Sequence, residues 1–287
     1  MTSQGAIVIT GASTGIGRAT ALHLDRNGYQ VFAGVRRDAD AESLRKEASE
    51  NLRTIHLDVV DPVSIGAARK TVGDALGDAG LAGLINNAGI SVGSPYEFLE
   101  LDELRRQLEV NFIGPVAVTQ AFLALVRKRR GRIVNVSSIG GLMAAPIIGA
   151  YAASKYAIEA FSDSLRRELK PWGMHVSVIE PGAIATPMFG KGDAYAERIN
   201  RQASPEQTEL YGAAIEAIRA GFRGFEKAAV PPERVARAIH HALSAKRPRT
   251  RYLVGPDARI QALLARFLPD RVLDALLVRM FKYPRSA

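Results

Sequence analysis

The sequence contains no cysteine. This absence excludes disulfide bonds, thiolate-ligated metal sites and cysteine nucleophiles, and it fits a reducing compartment. The first residues, MTSQGAIVIT, lack a basic segment followed by a long apolar stretch, so no secretory signal peptide is expected. The sequence also lacks an uncharged apolar run of about 18 residues, so no membrane-spanning segment is expected. These absences together predict a cytoplasmic protein.

Histidines and aromatic residues are sparse. The five histidines show no metal-ligand spacing, so no metal site is predicted and they are expected to be structural or exposed. The net charge is +9, from 38 Lys+Arg against 29 Asp+Glu, which favours phosphate-bearing ligands or anionic surfaces. Because the basic residues are scattered, with few aromatic residues between them, nucleic-acid binding is not expected. The histidines are His23, His56, His175, His240 and His241.

Short apolar runs rich in β-branched residues alternate along the chain with helix-prone stretches. This order predicts an α/β fold: a doubly wound, mostly parallel sheet of about seven strands with helices on both faces, the Rossmann fold. With 287 residues, 47% of them apolar, the chain can form one large core, and a single domain over 1–287 is predicted. The predicted strands cover 6–10, 30–35, 53–57, 81–85, 132–136, 176–179 and 252–254, and the predicted helices include 18–28, 41–50, 62–79, 101–125, 154–170 and 233–245.

A glycine-rich loop separates the first predicted strand from the first predicted helix. Its spacing is G-x-x-x-G-x-G. Glycines there allow a tight turn and the close approach of a pyrophosphate, and the helix N-terminus offers free N–H groups to it. The alternative is a plain glycine-rich turn. The candidate nucleotide-binding residues of this loop are Gly11, Ser13, Thr14, Gly15, Ile16 and Gly17.

Two arginines, Arg36 and Arg37, directly follow the second predicted strand. In dinucleotide-binding folds an acidic residue near this position holds a free ribose 2′-hydroxyl, whereas an arginine accommodates a 2′-phosphate. We therefore predict NADP(H) as the preferred cofactor, with NAD(H) as the alternative. The two arginines could also simply cap the strand at the surface.

Polar residues also end the third and fourth predicted strands. Asp58 is placed to meet the adenine edge of a nucleotide, because ligands of parallel sheets bind outside the carboxyl ends of the strands. It could equally cap the helix that begins at Asp61-Pro62. After the fourth strand, Asn87, Ala88 and Gly89 combine an amide that can hold neighbouring loops with small residues that admit a cofactor.

The stretch from Ser137 to Lys155 carries a hydroxyl at Ser138, a phenol at Tyr151 and an amine at Lys155. If Tyr151 and Lys155 lie on one helix, they project from one face, one turn apart. The ammonium would then lower the pKa of the phenol and suit it to acid–base catalysis. An exposed helical Tyr/Lys pair without a catalytic role is the alternative.

Taken together, these motifs resemble the short-chain dehydrogenase/reductase family, and most closely its 17β-hydroxysteroid and retinol dehydrogenase branch. The resemblance covers about residues 5–190. It includes the glycine loop, Asp58, Asn87-Ala88-Gly89, Asn111, Ser138, Tyr151-x-x-x-Lys155, and Pro181-Gly182 with Thr186.

The resemblance implies roles for the site residues. Tyr151 would exchange a proton with the substrate oxygen during hydride transfer, Lys155 would hold the nicotinamide ribose, and Ser138 would orient the substrate. Asn111, a residue unfavourable in a helix interior, would hold a water that links Lys155 to solvent. The resemblance also implies a homodimer or homotetramer formed through the helices that carry Asn111 and Lys155. The remaining residues expected at the cofactor are Pro181, Gly182, Ile184 and Thr186.

The region after the sixth predicted strand has two parts. Residues 188–230 resemble the family's substrate-binding insert. Residues 257–287 form a basic amphipathic extension of two helix-like segments separated by Pro269. Such a pair can lie on a membrane surface. Alternatively it packs on its own domain, lines the substrate entrance or contacts another subunit.

We therefore predict an NADP(H)-dependent oxidoreductase that interconverts an alcohol and a ketone or aldehyde on an apolar substrate such as a steroid, retinoid or lipid-like molecule. The alternative is a non-catalytic NADPH-binding regulatory or membrane-surface protein. The apolar preference depends on side chains near Ser138 and Tyr151, namely Ile139, Leu142, Met143, Pro146, Ile147 and Ile148.

Overall fold

The structure is a computed structural model that describes residues 4–284, apart from some side chains of the helix Met188–Gln202. Seven strands form one sheet in the order β3-β2-β1-β4-β5-β6-β7, and every neighbouring pair is parallel. The predicted doubly wound sheet is therefore confirmed. The strands are β1 (Ala6–Ile9), β2 (Gln30–Val35), β3 (Leu52–His56), β4 (Gly83–Asn86), β5 (Arg132–Val136), β6 (His175–Pro181) and β7 (Arg251–Val254).

Eleven α-helices occur within the described residues, on both faces of the sheet and beyond its carboxyl edge. They are α1 (Gly15–Arg26), α2 (Asp38–Arg45), α3 (Pro62–Leu76), α4 (Leu101–Leu108), α5 (Gly114–Lys128), α6 (Gly149–Leu169), α7 (Met188–Gln202), α8 (Pro205–Lys227), α9 (Pro232–Ser244), α10 (Pro256–Phe267) and α11 (Asp270–Met280).

Side chains of the central strands divide between two core layers. Ile7 and Ile9 of β1 belong to one buried cluster with α1, α2 and α9, whereas Val8 belongs to another with α3, α5 and the end of α6. Successive side chains of a strand point to opposite faces. Both faces are covered by helices, so the strands consist almost entirely of buried apolar residues.

Three predicted helices begin at other residues in the structure. Helix α1 begins at Gly15, inside the glycine loop, because a loop of this kind opens directly into the helix. Helix α2 covers Asp38–Arg45 instead of 41–50, with Asp38 and Asp40 in its first turn, where acidic residues are favoured. Helix α6 begins at Gly149 instead of 154, so Tyr151 and Lys155 do lie on one helix.

Residues 101–128 form one continuous helical rod that contains a π-helical turn at Glu109–Ile113. Among residues 4–284 this is the one helix with the length and apolar composition to cross a membrane. The sequence predicted a long helix over 101–125 but no membrane-spanning segment. Val118, Phe122 and Val126 are fully buried under the sheet, so packing in the domain core accounts for much of its apolar character.

The C-terminal helices fold back onto the rest of the protein. Leu277 and Phe281 are buried in a small cluster with Met143 of the loop after β5 and Ile218 of α8. Three phenylalanines, Phe281 among them, pack ring against ring in the same place, with centroids 5.9 to 6.4 Å apart. The extension therefore packs on its own domain, one of the alternatives considered for it.

Candidate active site

A cleft of about 1070 Å³ runs along the carboxyl edge of the sheet. Parallel strands place their carboxyl ends at one edge, and ligands bind there where the strand order reverses, between β1 and β4. With the exception of Asn111, every residue predicted to be catalytic or to bind the cofactor lines this cleft. They are Gly11, Ser13, Thr14, Gly15, Ile16, Gly17, Arg36, Arg37, Asp58, Asn87, Ala88, Gly89, Ser138, Tyr151, Lys155, Pro181, Gly182, Ile184 and Thr186.

The glycine loop has the form that a dinucleotide requires. Gly11 and Gly15 adopt positive φ angles of 66° and 56°, which favour glycine. A Cβ atom on Gly11 would lie 2.8 Å from the Cα of Ala88, and one on Gly17 would lie 2.5 Å from the Nδ2 of Asn87. The loop thus fits closely against the chain after β4, and the N-terminus of α1 faces the cleft.

Hydrogen bonds from the end of β1 hold this loop in place. Thr10 Oγ1 accepts from the backbone N–H groups of Asn87 (2.9 Å) and Ala88 (3.0 Å). Asn87 Nδ2 donates to the carbonyl oxygens of Thr10 (3.0 Å) and Gly11 (3.1 Å). Asn87 therefore joins two loops, as its position after β4 suggested, and Thr10 is a contributor that the sequence interpretation missed.

The two arginines after β2 have different surroundings. Arg37 donates to both carboxylate oxygens of Asp40, at 2.8 and 2.9 Å. Arg36 is two-thirds exposed and lies 4.0 Å from Asp58 Oδ2. Asp61, and not Asp58, caps α3, because its side chain accepts from the N–H of Val63. Arg36 and Asp58 consequently face the cleft together.

Ser138, Tyr151 and Lys155 meet where the glycine-lined half of the cleft gives way to its apolar half. Strand β5 delivers Ser138, whose Oγ accepts from the N–H of Gly140 at 3.1 Å. Lys155 Nζ lies 5.7 Å from the centroid of the Tyr151 ring and donates to the Val136 carbonyl at 2.9 Å. Tyr151 and Ser138 are hydrogen-bonded through their side chains.

The pKa values of this group depend mainly on burial. Burial raises the pKa of the Tyr151 phenol, and the hydrogen bond with Ser138 opposes that rise. Burial lowers the pKa of Lys155 to about 8, and the charge of Glu159 opposes that fall. The expected lowering of the Tyr151 pKa by Lys155 is therefore not found, because the ammonium is directed to a backbone carbonyl and burial dominates. The shift brings the pKa of Lys155 closer to neutrality.

Asn111 lies outside the cleft wall and is almost completely buried. Its Oδ1 accepts from the N–H of Ile90 (2.8 Å), and its Nδ2 donates to the carbonyl of Ile90 (3.0 Å) and to Ser154 Oγ (3.1 Å). The π-helical turn that carries it is of a kind frequent at functional sites. Asn111 thus connects the loop after β4 to helix α6, one residue before Lys155.

Gln107 performs a similar task one turn earlier and was missed from the sequence. It is fully buried, accepts from the N–H of Val92 (2.7 Å) and donates to the carbonyl of Ile90 (2.9 Å). Its spacing of four residues from Asn111 was the available signal, because side chains at that spacing share a helix face.

The apolar half of the cleft draws on distant parts of the chain. Of the predicted wall residues, Leu142 and Pro146 do not line it. Ile147 does, with a φ of 70°, a strained conformation for a β-branched residue; its carbonyl accepts from the N–H of Ser94. The apolar lining is Ile139, Met143, Ile147, Ile148, Ile215, Ile218, Phe222, Phe225, Leu277, Met280 and Phe281.

Asp257, the second residue of α10, was also missed. Its Oδ2 accepts from the N–H of Ala183 at 2.7 Å, and a Cβ on Gly182 would collide with its carboxylate. The C-terminal extension thus contacts the loop after β6 that was expected to hold the cofactor.

Comparison with known proteins agrees with this geometry. Residues 5–195 match the family model described as short chain dehydrogenase. The chain is 40% identical to mouse retinol dehydrogenase 5, over 99% of this chain and 91% of that protein. It is 40% identical to bovine 17-beta-hydroxysteroid dehydrogenase type 6, over 98% and 90%. A short-chain dehydrogenase structure from Streptomyces avermitilis superimposes with a TM-score of 0.75 at 29% identity, covering 98% of this chain and 97% of that one.

The fold, the cleft and these likenesses give one conclusion. The chain belongs to the short-chain dehydrogenase family, in its retinol and hydroxysteroid dehydrogenase branch, and is an oxidoreductase that interconverts alcohols and carbonyl compounds with a nicotinamide cofactor.

Proposed function

We propose that this protein is an NADP(H)-dependent oxidoreductase that uses Tyr151 as the acid–base catalyst on an apolar alcohol, ketone or aldehyde. The observation that carries the proposal is the position of Ser138, Tyr151 and Lys155. They lie in one cleft, between a glycine-lined half suited to a dinucleotide and a half lined by aliphatic and phenylalanine side chains.

In this mechanism the nicotinamide supplies or accepts the hydride. The Tyr151 hydroxyl donates a proton to the carbonyl oxygen during reduction and is left as the phenolate. In the oxidation direction the phenolate removes the proton from the alcohol and becomes the hydroxyl again. Ser138, hydrogen-bonded to Tyr151, orients the substrate oxygen. The Lys155 ammonium is proposed to hold the nicotinamide ribose. Asn111 holds the helix and loop that frame these groups, and a water bound near it is proposed to link Lys155 to solvent.

The NADP(H) preference is proposed from Arg36. Its guanidinium is exposed at the cleft and lies near a single carboxylate at a long distance, 4.0 Å. It is therefore available to a 2′-phosphate, which guanidinium groups bind in a bidentate manner. Arg37 is engaged with Asp40 and contributes less.

The apolar substrate is proposed from the wall of the cleft. Residues 188–230 act as the substrate-binding insert, because Ile215, Ile218 and Phe222 of α8 face the same space as Tyr151. Tyr211 of α8 donates to Glu97 at 2.9 Å, so the insert is also joined to the segment that follows β4. A steroid, retinoid or lipid-like substrate is consistent with the relatives named above.

A homodimer or homotetramer is proposed through the helical rod 101–128 and α6. Ile113 and Tyr156 leave large apolar surfaces exposed there, at 45% and 46%. Phe112 and Phe161, which link the two helices edge to face, form a rigid base for such an interface.

We propose that the protein is cytoplasmic.

A second candidate function is peripheral contact with a membrane surface. Ile260, Leu263 and Phe267 repeat at i, i+3 and i+7 on α10 and are 59%, 58% and 70% exposed. Arginines accompany them on the same extension, and Met280 belongs both to the exposed surface and to the cleft wall. An interfacial helix with basic residues beside apolar ones has this character.

The decisive test of the main proposal is turnover. Purified protein is assayed with NADPH and NADH against ketones and aldehydes, and with the oxidised cofactors against the matching alcohols, including steroids and retinoids. Turnover of an apolar substrate with NADPH is expected. NADPH binding without turnover of any substrate would instead favour the non-catalytic alternative.

A further inference from the structure

A cluster of charged residues lies behind Lys155, outside the cleft. Arg251 of β7 directs its guanidinium at three carboxylates: Glu159 Oε2 at 3.1 Å, Asp163 Oδ1 at 3.2 Å and Glu180 Oε1 at 3.1 Å. Glu159 and Asp163 are on α6, and Glu180 is on β6, directly before Pro181-Gly182. None of the four residues lines the cleft, and the proposed chemistry does not use them.

Burial makes this arrangement costly. Glu180 is 1% exposed and Glu159 is 7% exposed, and one oxygen of each lacks a hydrogen bond among the described residues. Buried carboxylates without full compensation are rare. Asp163 is also paired with Arg166 and Arg167, whereas Arg251 is the arginine that Glu159 and Glu180 share. With one cation between these two buried carboxylates, a proton on one of them reduces the excess negative charge. Burial and then the charge of Glu159 raise the pKa of Glu180 to about 7, so Glu180 is the group best suited to hold that proton.

Glu159 lies one helical turn after Lys155. The two residues are four apart on α6 and both are buried, so their side chains share one helix face. Tyr151 lies one turn before Lys155, and the Val136 carbonyl at the end of β5 accepts from the Lys155 ammonium. Burial raises the pKa of Glu159, and the Ser137 hydroxyl and the charge of Arg251 oppose that rise. Within this group Glu159 is the charged residue that opposes the lowering of the Lys155 pKa by burial.

We propose that Glu159 is a positioning residue for the reaction, whose buried charge keeps Lys155 in its ammonium form, while Glu180 holds the proton that lets Glu159 remain ionised beside Arg251. This inference builds on the role proposed for Lys155. It adds an electrostatic coupling between the charged side chains of β6, β7 and α6 and Lys155 in the cleft. This coupling does not require contact with substrate or cofactor.

The primary test measures the lysine itself. The pKa of the Lys155 amine is determined by NMR titration of protein labelled with ¹⁵N-lysine, and Lys155→Met identifies the resonance. Glu159→Gln is expected to lower that pKa by about one unit, the size of effect that a nearby charge has. Asp163→Asn is the matched control, because it removes another carboxylate that pairs with Arg251. Asp163 lies one turn of α6 further from Lys155 than Glu159 does, so the Lys155 pKa should stay unchanged. An unchanged value in folded Glu159→Gln would overturn the proposal.

A kinetic test separates this proposal from the proposed function. The alkaline limb of the kcat/KM profile is expected to move to lower pH in Glu159→Gln, while the maximal kcat/KM at lower pH is retained. Wild-type protein without turnover would refute the oxidoreductase mechanism, yet the NMR result would still decide the charge coupling.

If Glu159→Gln does not fold, Glu159→Asp keeps the charge, and it should leave the Lys155 pKa nearly unchanged. The proposal would be contradicted if the Lys155 pKa fell in Glu159→Asp by as much as is predicted for Glu159→Gln.

Discussion

The Asp257 carboxylate accepts a hydrogen bond from the backbone N–H of Ala183 at 2.7 Å. The two residues are 74 positions apart, and the bond joins the first turn of α10 to the loop after β6. Position 182 must be glycine here, because a Cβ would occupy the space of the carboxylate. The C-terminal extension is therefore part of the wall of the cofactor half of the cleft.

Asp257→Ala is expected to weaken NADPH binding roughly tenfold, because a partly buried N–H group loses its acceptor and the loop loses its anchor. Fluorescence titration with NADPH measures the effect. Asp257→Asn retains an acceptor oxygen and should bind nearly as well as wild type. Equal loss in both variants would mean that the carboxylate charge matters, and not the hydrogen bond to Ala183.

Tyr151→Phe is expected to lower kcat by about a hundredfold or more, the usual contribution of general acid–base catalysis, with NADPH affinity intact. Steady-state kinetics and cofactor titration check the two halves of this prediction. Tyr156→Phe is the control, since Tyr156 lies on the same helix with its side chain 46% exposed. Full activity in Tyr151→Phe would refute the assignment.

Arg36→Ala is expected to raise KM for NADPH by roughly 10- to 100-fold while leaving KM for NADH little changed, because hydrogen bonds to charged groups contribute about 1.5–3 kcal/mol. Arg37→Ala is the comparison variant and should have a smaller effect, since Arg37 is engaged with Asp40. The ratio of kcat/KM for the two cofactors is the measurement. The same ratio in Arg36→Ala and wild type would disprove the role of Arg36.

Phe267→Ser is expected to reduce co-sedimentation with anionic vesicles roughly tenfold or more, since a fully buried large apolar side chain contributes about 1.5–3 kcal/mol. Val63→Ser on α3, which removes another exposed apolar side chain, should have no effect. These point variants are preferable to removal of the whole extension, because Leu277 and Phe281 also line the cleft. Wild-type protein that does not bind vesicles would rule out the membrane candidate.

Glu180→Gln is expected to stabilise the protein at alkaline pH. The pKa of Glu180 is raised in the folded protein to about 7, so the folded state holds a proton that the unfolded state releases from about pH 4.5 upward. Wild-type stability should therefore fall between about pH 4.5 and 7, by about 3 kcal/mol, and then level off. Glutamine resembles the protonated acid, so the variant should lose much of this slope in urea unfolding at several pH values.

The sequence by itself determined the order of strands and helices and the identity of most site residues. These depend on local chemistry: β-branched runs form buried strands, glycines permit the tight first loop, and residues at strand ends reach one edge of a parallel sheet. The spacing of Tyr151 and Lys155 suits one helix face, but the predicted helix began at residue 154, and only the structure shows that α6 begins at Gly149 and carries both residues.

The tertiary structure alone decided what surrounds those residues. It directs Lys155 to the Val136 carbonyl, so that burial, and not the ammonium, controls the pKa of Tyr151. It brings Asp257 and Phe281 to the cleft and sets Arg251 among three carboxylates. Such contacts join segments up to a hundred or more residues apart. Their geometry depends on how helices pack across the sheet, and local patterns of hydrophobicity and turn chemistry carry no information about it.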